Sequence, residues 1–208
     1  MLLRAVLRGR PSRRSRRDPG TAFHGERGSA VEAAIVVPVF LVMILGIIEF
    51  SLVLKDQITV SRFSKNAARV ASVKGDDADS DYSILQEVKA GSGTLPKSGI
   101  QRVVVFEASA TVDQPTATCR NGTPSSTAGG RCNVYTGADV QTLTSTDFGC
   151  GVAQADRFWC PNTRSISGSS VSYIGVYVQV KHPMATLLFG SSRTVTSANV
   201  LRMEPRLA

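Results

Sequence analysis

Histidine is nearly absent from this chain: two in 208 residues, His24 and His182. With so few go most of the arrangements by which side chains shuttle protons near neutral pH or hold a transition metal. The four cysteines form no Cys-x-x-Cys knuckle and have no histidine among them. No Gly-x-x-x-x-Gly-Lys loop cradles a phosphate. Asp76, Asp77, Asp79 and Asp81 cluster, but without the glycine and distal glutamate of a calcium loop they read as a solvated turn and helix cap. His182, just before Pro183 at a strand end, is expected to pack or to hydrogen-bond. No catalytic residue, cofactor site or metal site emerges, and an enzyme is not expected. Charge is missing as well, and more tellingly: from Ala33 to Ile48 sixteen residues pass without one.

That gap belongs to a longer apolar stretch, Ala30 to Leu54, broken only by Glu32, Glu49 and Ser51. As a helix it measures about 37 Å at ~1.5 Å per residue, enough to cross a hydrocarbon core of about 30 Å. Apolar residues run round the whole helix instead of forming a stripe, which argues against the core helix of a soluble domain. Pro38 interrupts the backbone bonding, as membrane helices tolerate. Glu32 and Glu49 lie near the two ends, where each can reach an interface.

Residues 1–29 hold eight arginines, with Pro11 and Pro19 and no apolar period, and read as a disordered basic leader. Positive flanks stay in the cytoplasm. The expected topology is therefore a cytoplasmic leader at 1–29, a single span at 30–54 in the cytoplasmic membrane, and an extracytoplasmic domain at 55–208. The positive charge gathers in the leader, so it suits anionic lipid headgroups and gives no case for nucleic acid. A cleaved secretory signal competes for the same segment, but the apolar stretch is long and Lys55-Asp56-Gln57 follows it, not a small-residue site.

Past the span, Val53, Val60, Phe63, Ala67 and Val70 recur at helical spacing, with Lys55, Arg62, Lys65 and Arg69 on other faces. The membrane helix is expected to continue as an amphipathic helix of more than 40 residues in all, stopped at Lys74-Gly75. Asp79 or Ser80 would cap a short helix from Asp81 to Ala90. Strands are expected over Arg102–Val112, Val171–Lys181 and Arg193–Met203, with a turn of helix in Pro183–Gly190. In the second strand Ile174, Val176, Val178 and Val180 oppose Tyr173, Gly175, Tyr177, Gln179 and Lys181. Residues 113–170 lack a period and read as loops with short strands; Asn121-Gly122-Thr123 marks a surface turn. The expected fold is α+β, with the long helix on an antiparallel sheet.

Cys119, Cys132, Cys150 and Cys160 all fall in the domain expected outside, where an even count favours disulfides over zinc. Three connectivities are open. Cys119–Cys132 with Cys150–Cys160 is preferred, since each bond would staple a local loop. Phe158-Trp159 beside Cys160 reads as core packed against a disulfide.

The segment Glu26-Arg-Gly-Ser-Ala-Val-Glu-Ala-Ala-Ile-Val-Val-Pro-Val-Phe-Leu41, with Gly46-Ile-Ile-Glu-Phe50 and Asn66-Ala-Ala-Arg-Val-Ala71, resembles TadE-like proteins, pseudopilins of the tight-adherence (Flp) pilus apparatus. Tyr173 to Val178, His182 and Arg202-Met-Glu-Pro205 are similar to the outer domains of actinobacterial members. The resemblance implies one membrane pass, a role in pilus assembly with other pilin-like membrane proteins, and cleavage by a prepilin peptidase between Gly28 and Ser29. Glu32 would be the acid that pairs with a neighbouring subunit's new amine. Such sites usually place the glutamate fifth after the cut and an aromatic next; here Glu32 is fourth and Ala33 follows. A processed pseudopilin and a plain anchor with its leader retained both stay open. So does a tethered envelope binding or sensing domain unrelated to pili.

Overall fold

A computed structural model describes residues 26–95, 99–166, 171–186 and 190–205; of residues 26–29 and Thr94 it describes the backbone alone. The leader through residue 25, with His24, and residues 187–189 of the Pro183–Gly190 loop lie outside the described residues. The chain divides into two compact units, Met1–Ile44 and Leu45–Ala208.

The first helix, α1, is Glu26–Lys74, a single element of 49 residues that runs through Pro38. Helix α2 is Ser80–Gly91. Strand β1 is Ile100–Ala108, then come α3 at Ala117–Arg120, β2 at Cys132–Thr136 and α4 at Gly137–Thr142. Strands β3, Tyr173–Pro183, and β4, Ser192–Arg202, complete one antiparallel sheet in the order β2-β1-β3-β4. The fold is α+β, with the second half of α1 packed on the sheet.

Strands β1 and β3 are central, and both faces of the sheet are covered. On one face Val103, Val105, Ile174, Val176, Val178 and Val180 meet Val60, Phe63, Ala67, Ala68 and Ala71 of α1 and Ile84, Leu85 and Val88 of α2. The other face is smaller: Val104, Phe106 and Tyr177 with Cys119 and Cys132. Period-two alternation sends neighbours along one strand to these two clusters. Phe106 stands opposite Gly175, and a Cβ there would lie 2.2 Å from the ring, so the ring occupies the space that a side chain would need. Disulfides join Cys119 to Cys132 and Cys150 to Cys160. In the chain-entropy picture, loops of this size gain about 3 kcal/mol each.

Several local expectations are corrected. Strand β1 stops at Ala108, short of Val112, because the Ser109 hydroxyl takes the N–H groups of Thr111 and Val112 and turns the chain. Among the described residues, the stretch 113–170 holds two short α-helices and three single 3-10 turns as well as β2; α4 is fixed by a capping box between Thr136 and Asp139. Met184–Thr186 are not helical. Gly75, just past the end of α1, is not a left-handed stop: it leaves room for Met203, whose methyl would lie 1.9 Å from a Cβ there.

The largest departure concerns Asp81. It is no solvated cap but fully buried, paired with Arg164 at 2.7 Å. Its other oxygen accepts hydrogen bonds from Tyr135 Oη and Asn133 Nδ2, each at 2.7 Å. Arg164 also donates to the carbonyls of Trp159 and Gly75 and lies over the Trp159 ring. Burial, followed by the Asp81 charge, pushes the Tyr135 phenol well above its ordinary pKa, so it stays a neutral donor. This network ties α2, β2 and the loop before β3 into one core.

Candidate membrane and assembly site

In the first unit the site is a helix surface. An 18-residue window of α1 reaches a mean hydropathy of 2.7 with none of it buried. Ile35, Val36, Val39, Phe40 and Met43 are all at least half exposed. A contiguous apolar surface of this kind marks contact with lipid or another protein. By length and composition it is a candidate membrane span. Gly28 and Ser29 lie in the first turn of α1, and Glu32, one turn on, is exposed.

In the second unit α1 changes character. Ser64, Ala67, Ala68, Ser72 and Ala71 are buried, and small side chains let the helix axis come close to the sheet. Polar stitches hold it to the edge strand β4. Ser64 donates to Ser197 Oγ at 2.9 Å, Ser72 to the Arg202 carbonyl at 2.7 Å, and Gln57 to the Thr196 carbonyl at 3.1 Å. The small-residue segment Asn66–Ala71 thus serves packing inside the chain. Lys55, Arg62, Lys65 and Arg69 remain exposed on the opposite side.

Two acids of α1 seven residues apart, Glu49 and Asp56, share a face because seven residues make nearly two turns. Asp56 meets the far end of β3, and Glu49 the connection just beyond it. Asp56 lies 2.6 Å from His182 Nδ1, and both are largely buried. Glu49 is 2 % exposed and accepts a hydrogen bond from the Thr186 backbone N–H. Its second oxygen, the Thr186 hydroxyl and His182 Nε2 are buried without a hydrogen-bond partner among the described residues. Beside Glu49 a cleft of about 380 Å³ is lined by Gly46, Glu49, Phe50, Val53, Met184 and Arg193. Sequence reasoning places Glu49 near the end of the span, able to reach an interface, and His182 at a strand end, and it has no signal to bring them together across 133 residues of chain. Ser51, the remaining polar residue of the stretch, satisfies itself on the Ile47 carbonyl at 2.7 Å.

Residues 28–69 match the family model described as TadE-like protein. The match takes in α1 from its first turn to five residues before its end, and none of the sheet. No curated protein and no solved structure matches the chain.

Proposed function

We propose that this chain is a single-pass component of a tight-adherence (Flp-type) pilus assembly system, a minor pseudopilin or a membrane-anchored assembly subunit. The observation that carries the reading is the coincidence of the TadE-like match with an apolar helix exposed all round. The arginine-rich leader lies in the cytoplasm, residues 30–54 cross the cytoplasmic membrane, and the disulfide-bonded domain faces outward. Assembly runs through the exposed apolar half of α1, because the small-residue face of the other half is already used by the sheet.

A prepilin peptidase cuts between Gly28 and Ser29. The cut removes the charged leader and frees an amine close to Glu32. The Glu32 carboxylate of an adjacent helix then pairs with that amine in the apolar bundle and sets the register between pilin-like subunits. Intact mass and N-terminal sequencing of membrane-extracted protein, with and without a prepilin peptidase, test this step. The expected result is a start at Ser29 only when the peptidase is present. Glu32→Ala is expected to insert normally but to lose crosslinks to pilin-like partners and pilus formation.

One observation favours a second reading. The family match stops short of the sheet domain, and the packed half of α1 is committed within the chain, which suits a static anchor that displays an envelope binding or sensing domain. A retained leader with the protein still in the membrane, and unchanged pili in Glu32→Ala, would select it.

A further inference from the structure

We infer that the connection leaving β3, Met184–Thr186, is a lipid-contacting element seated at the boundary between headgroups and acyl chains, on the leaflet next to the sheet domain. The inference rests on reading residues 30–54 as a membrane span.

The length of the apolar stretch comes first. Sixteen uncharged residues, Ala33–Ile48, make a helix of only about 24 Å at ~1.5 Å per residue. A hydrocarbon core of about 30 Å needs roughly 20 residues. The core must therefore take in one of the two flanking glutamates. They are prepared very differently for that. Glu32 is exposed. Glu49 is almost wholly covered and accepts the Thr186 N–H. A carboxylate below the headgroups needs a partner, and Glu49 is the one that has it. Ala33–Leu52 then fills the core, and Lys55 is the first charge to reach the headgroups.

Depth follows from the same bond. Glu49 lies six residues before Lys55, about 9 Å lower along the helix. Thr186 touches Glu49, so the chain leaving β3 sits at that depth too. Leu45 onward and the sheet form one compact unit, so this contact belongs to the domain's own fold. The backbone there is suited to a place with little water. Pro183 has no N–H, Met184 donates to the Ser191 carbonyl at 3.1 Å, and Thr186 donates to Glu49. The N–H groups of Met184 and Thr186 are thus taken within the protein, which lowers the cost of holding irregular chain where water thins out at the edge of the acyl region. The cleft beside Glu49 has apolar walls in Phe50, Val53 and Met184 and an exposed cation, Arg193, as fits an acyl chain below a phosphate.

The test uses the full chain with its disulfides intact, in vesicles of phosphatidylcholine with phosphatidylglycerol as the minor lipid, brominated either high or low on the acyl chains. Single tryptophans are added to the Trp159 background: Ala185→Trp at an exposed position of the connection, Phe40→Trp in the span, and Val152→Trp, 94 % exposed, as the outside reference. Expected is loss of most added emission from Ala185→Trp with the high bromines and little with the low ones. Phe40→Trp should respond to the low bromines and Val152→Trp to neither. Met184→Trp is the second probe should Ala185→Trp misfold, as judged by near-UV dichroism. A quenched Phe40→Trp with an unquenched Ala185→Trp would overturn the inference and leave the span standing. An Ala185→Trp shielded from both bromines and aqueous iodide would also overturn it, in favour of a second copy of the chain as cover. An unquenched Phe40→Trp would remove the span and the inference with it.

Discussion

Two stretches of one helix, residues 31–45 and 60–71, invert the usual relation between hydrophobicity and burial. The first is dominated by Val, Ile, Leu, Phe and Met and is exposed throughout; Ile35 is 67 % accessible. The second is rich in alanine and serine, and Ala67, Ala68 and Ala71 are completely buried. A helix packs closely on a sheet where its side chains are small. A helix that leaves large apolar side chains uncovered along its own chain suits an apolar medium or the apolar surface of another protein. The two stretches are suited to different media, and the difference is written in side-chain size as much as in polarity.

An arginine placed in each half would break this comparison most sharply. Ala68→Arg puts an unpaired cation between helix and sheet, at a cost of several kcal/mol. The expected outcome is loss of the near-UV dichroism and of cooperative unfolding of the disulfide-bonded domain in detergent, with the apolar stretch still partitioning into membranes. A variant that kept its unfolding midpoint would mean that the packed half is not where the structure puts it.

The core of the sheet domain should be nearly as sensitive at Asp81. Truncating one member of a buried ion pair costs about 3–5 kcal/mol, because the other charge stays behind unpaired. Asp81→Ala would strand Arg164 among Trp159, Ser80 and the Gly75 carbonyl and leave Tyr135 and Asn133 without an acceptor. The expected result in denaturant titration is a large fall in midpoint, while Asp79→Ala, which loses only a half-exposed pair with Lys74, changes little.

Asp81 also shows where sequence reading stops. The long helix, the short helix and the alternation of Ile174, Val176, Val178 and Val180 were legible because periodicity is a local signal. Four aspartates within six residues carry no such signal about which one turns inward. What decides is Arg164, 83 residues away in a segment without a period. The same holds where Glu49 meets the connection leaving β3. The apolar stretch and its flanking acids were legible, but the covering of Glu49 by the β3 end depends on a strand more than 120 residues later. Ser109 shortened β1 through a side-chain-to-backbone competition that β-branched composition alone does not register.

Val39→Arg is the complementary change in the exposed half. Arginine near the middle of a spanning helix costs about 2.5–3.5 kcal/mol on insertion scales, roughly a hundredfold in partitioning. Carbonate-resistant membrane association should fall accordingly, while the unfolding midpoint of the disulfide-bonded domain in detergent stays unchanged. A midpoint that moved with Val39→Arg would mean that the two stretches are not independent.

The smallest effect expected lies far from either stretch and serves as a baseline for the sheet domain alone. Glu107 on β1 accepts from Arg131 at 2.8 and 3.0 Å and from the Gly129 N–H at 2.8 Å. Burial pushes the Glu107 carboxyl upward, but the hydrogen bonds and charge of Arg131 and the Gly129 N–H outweigh it and hold the carboxyl below its ordinary value. A depressed folded-state pKa contributes stability that is present above the unfolded-state pKa, near the ordinary 4.5. That stability is lost as pH falls through the lower folded-state value. The pair is partly exposed, so less than about 1 kcal/mol is at stake. Glu107→Gln should therefore unfold at a slightly lower temperature than the parent chain at neutral pH, and the gap should close below the carboxylate range. A gap that persisted in acid would assign the effect to lost hydrogen-bond geometry around Gly129 instead of to charge.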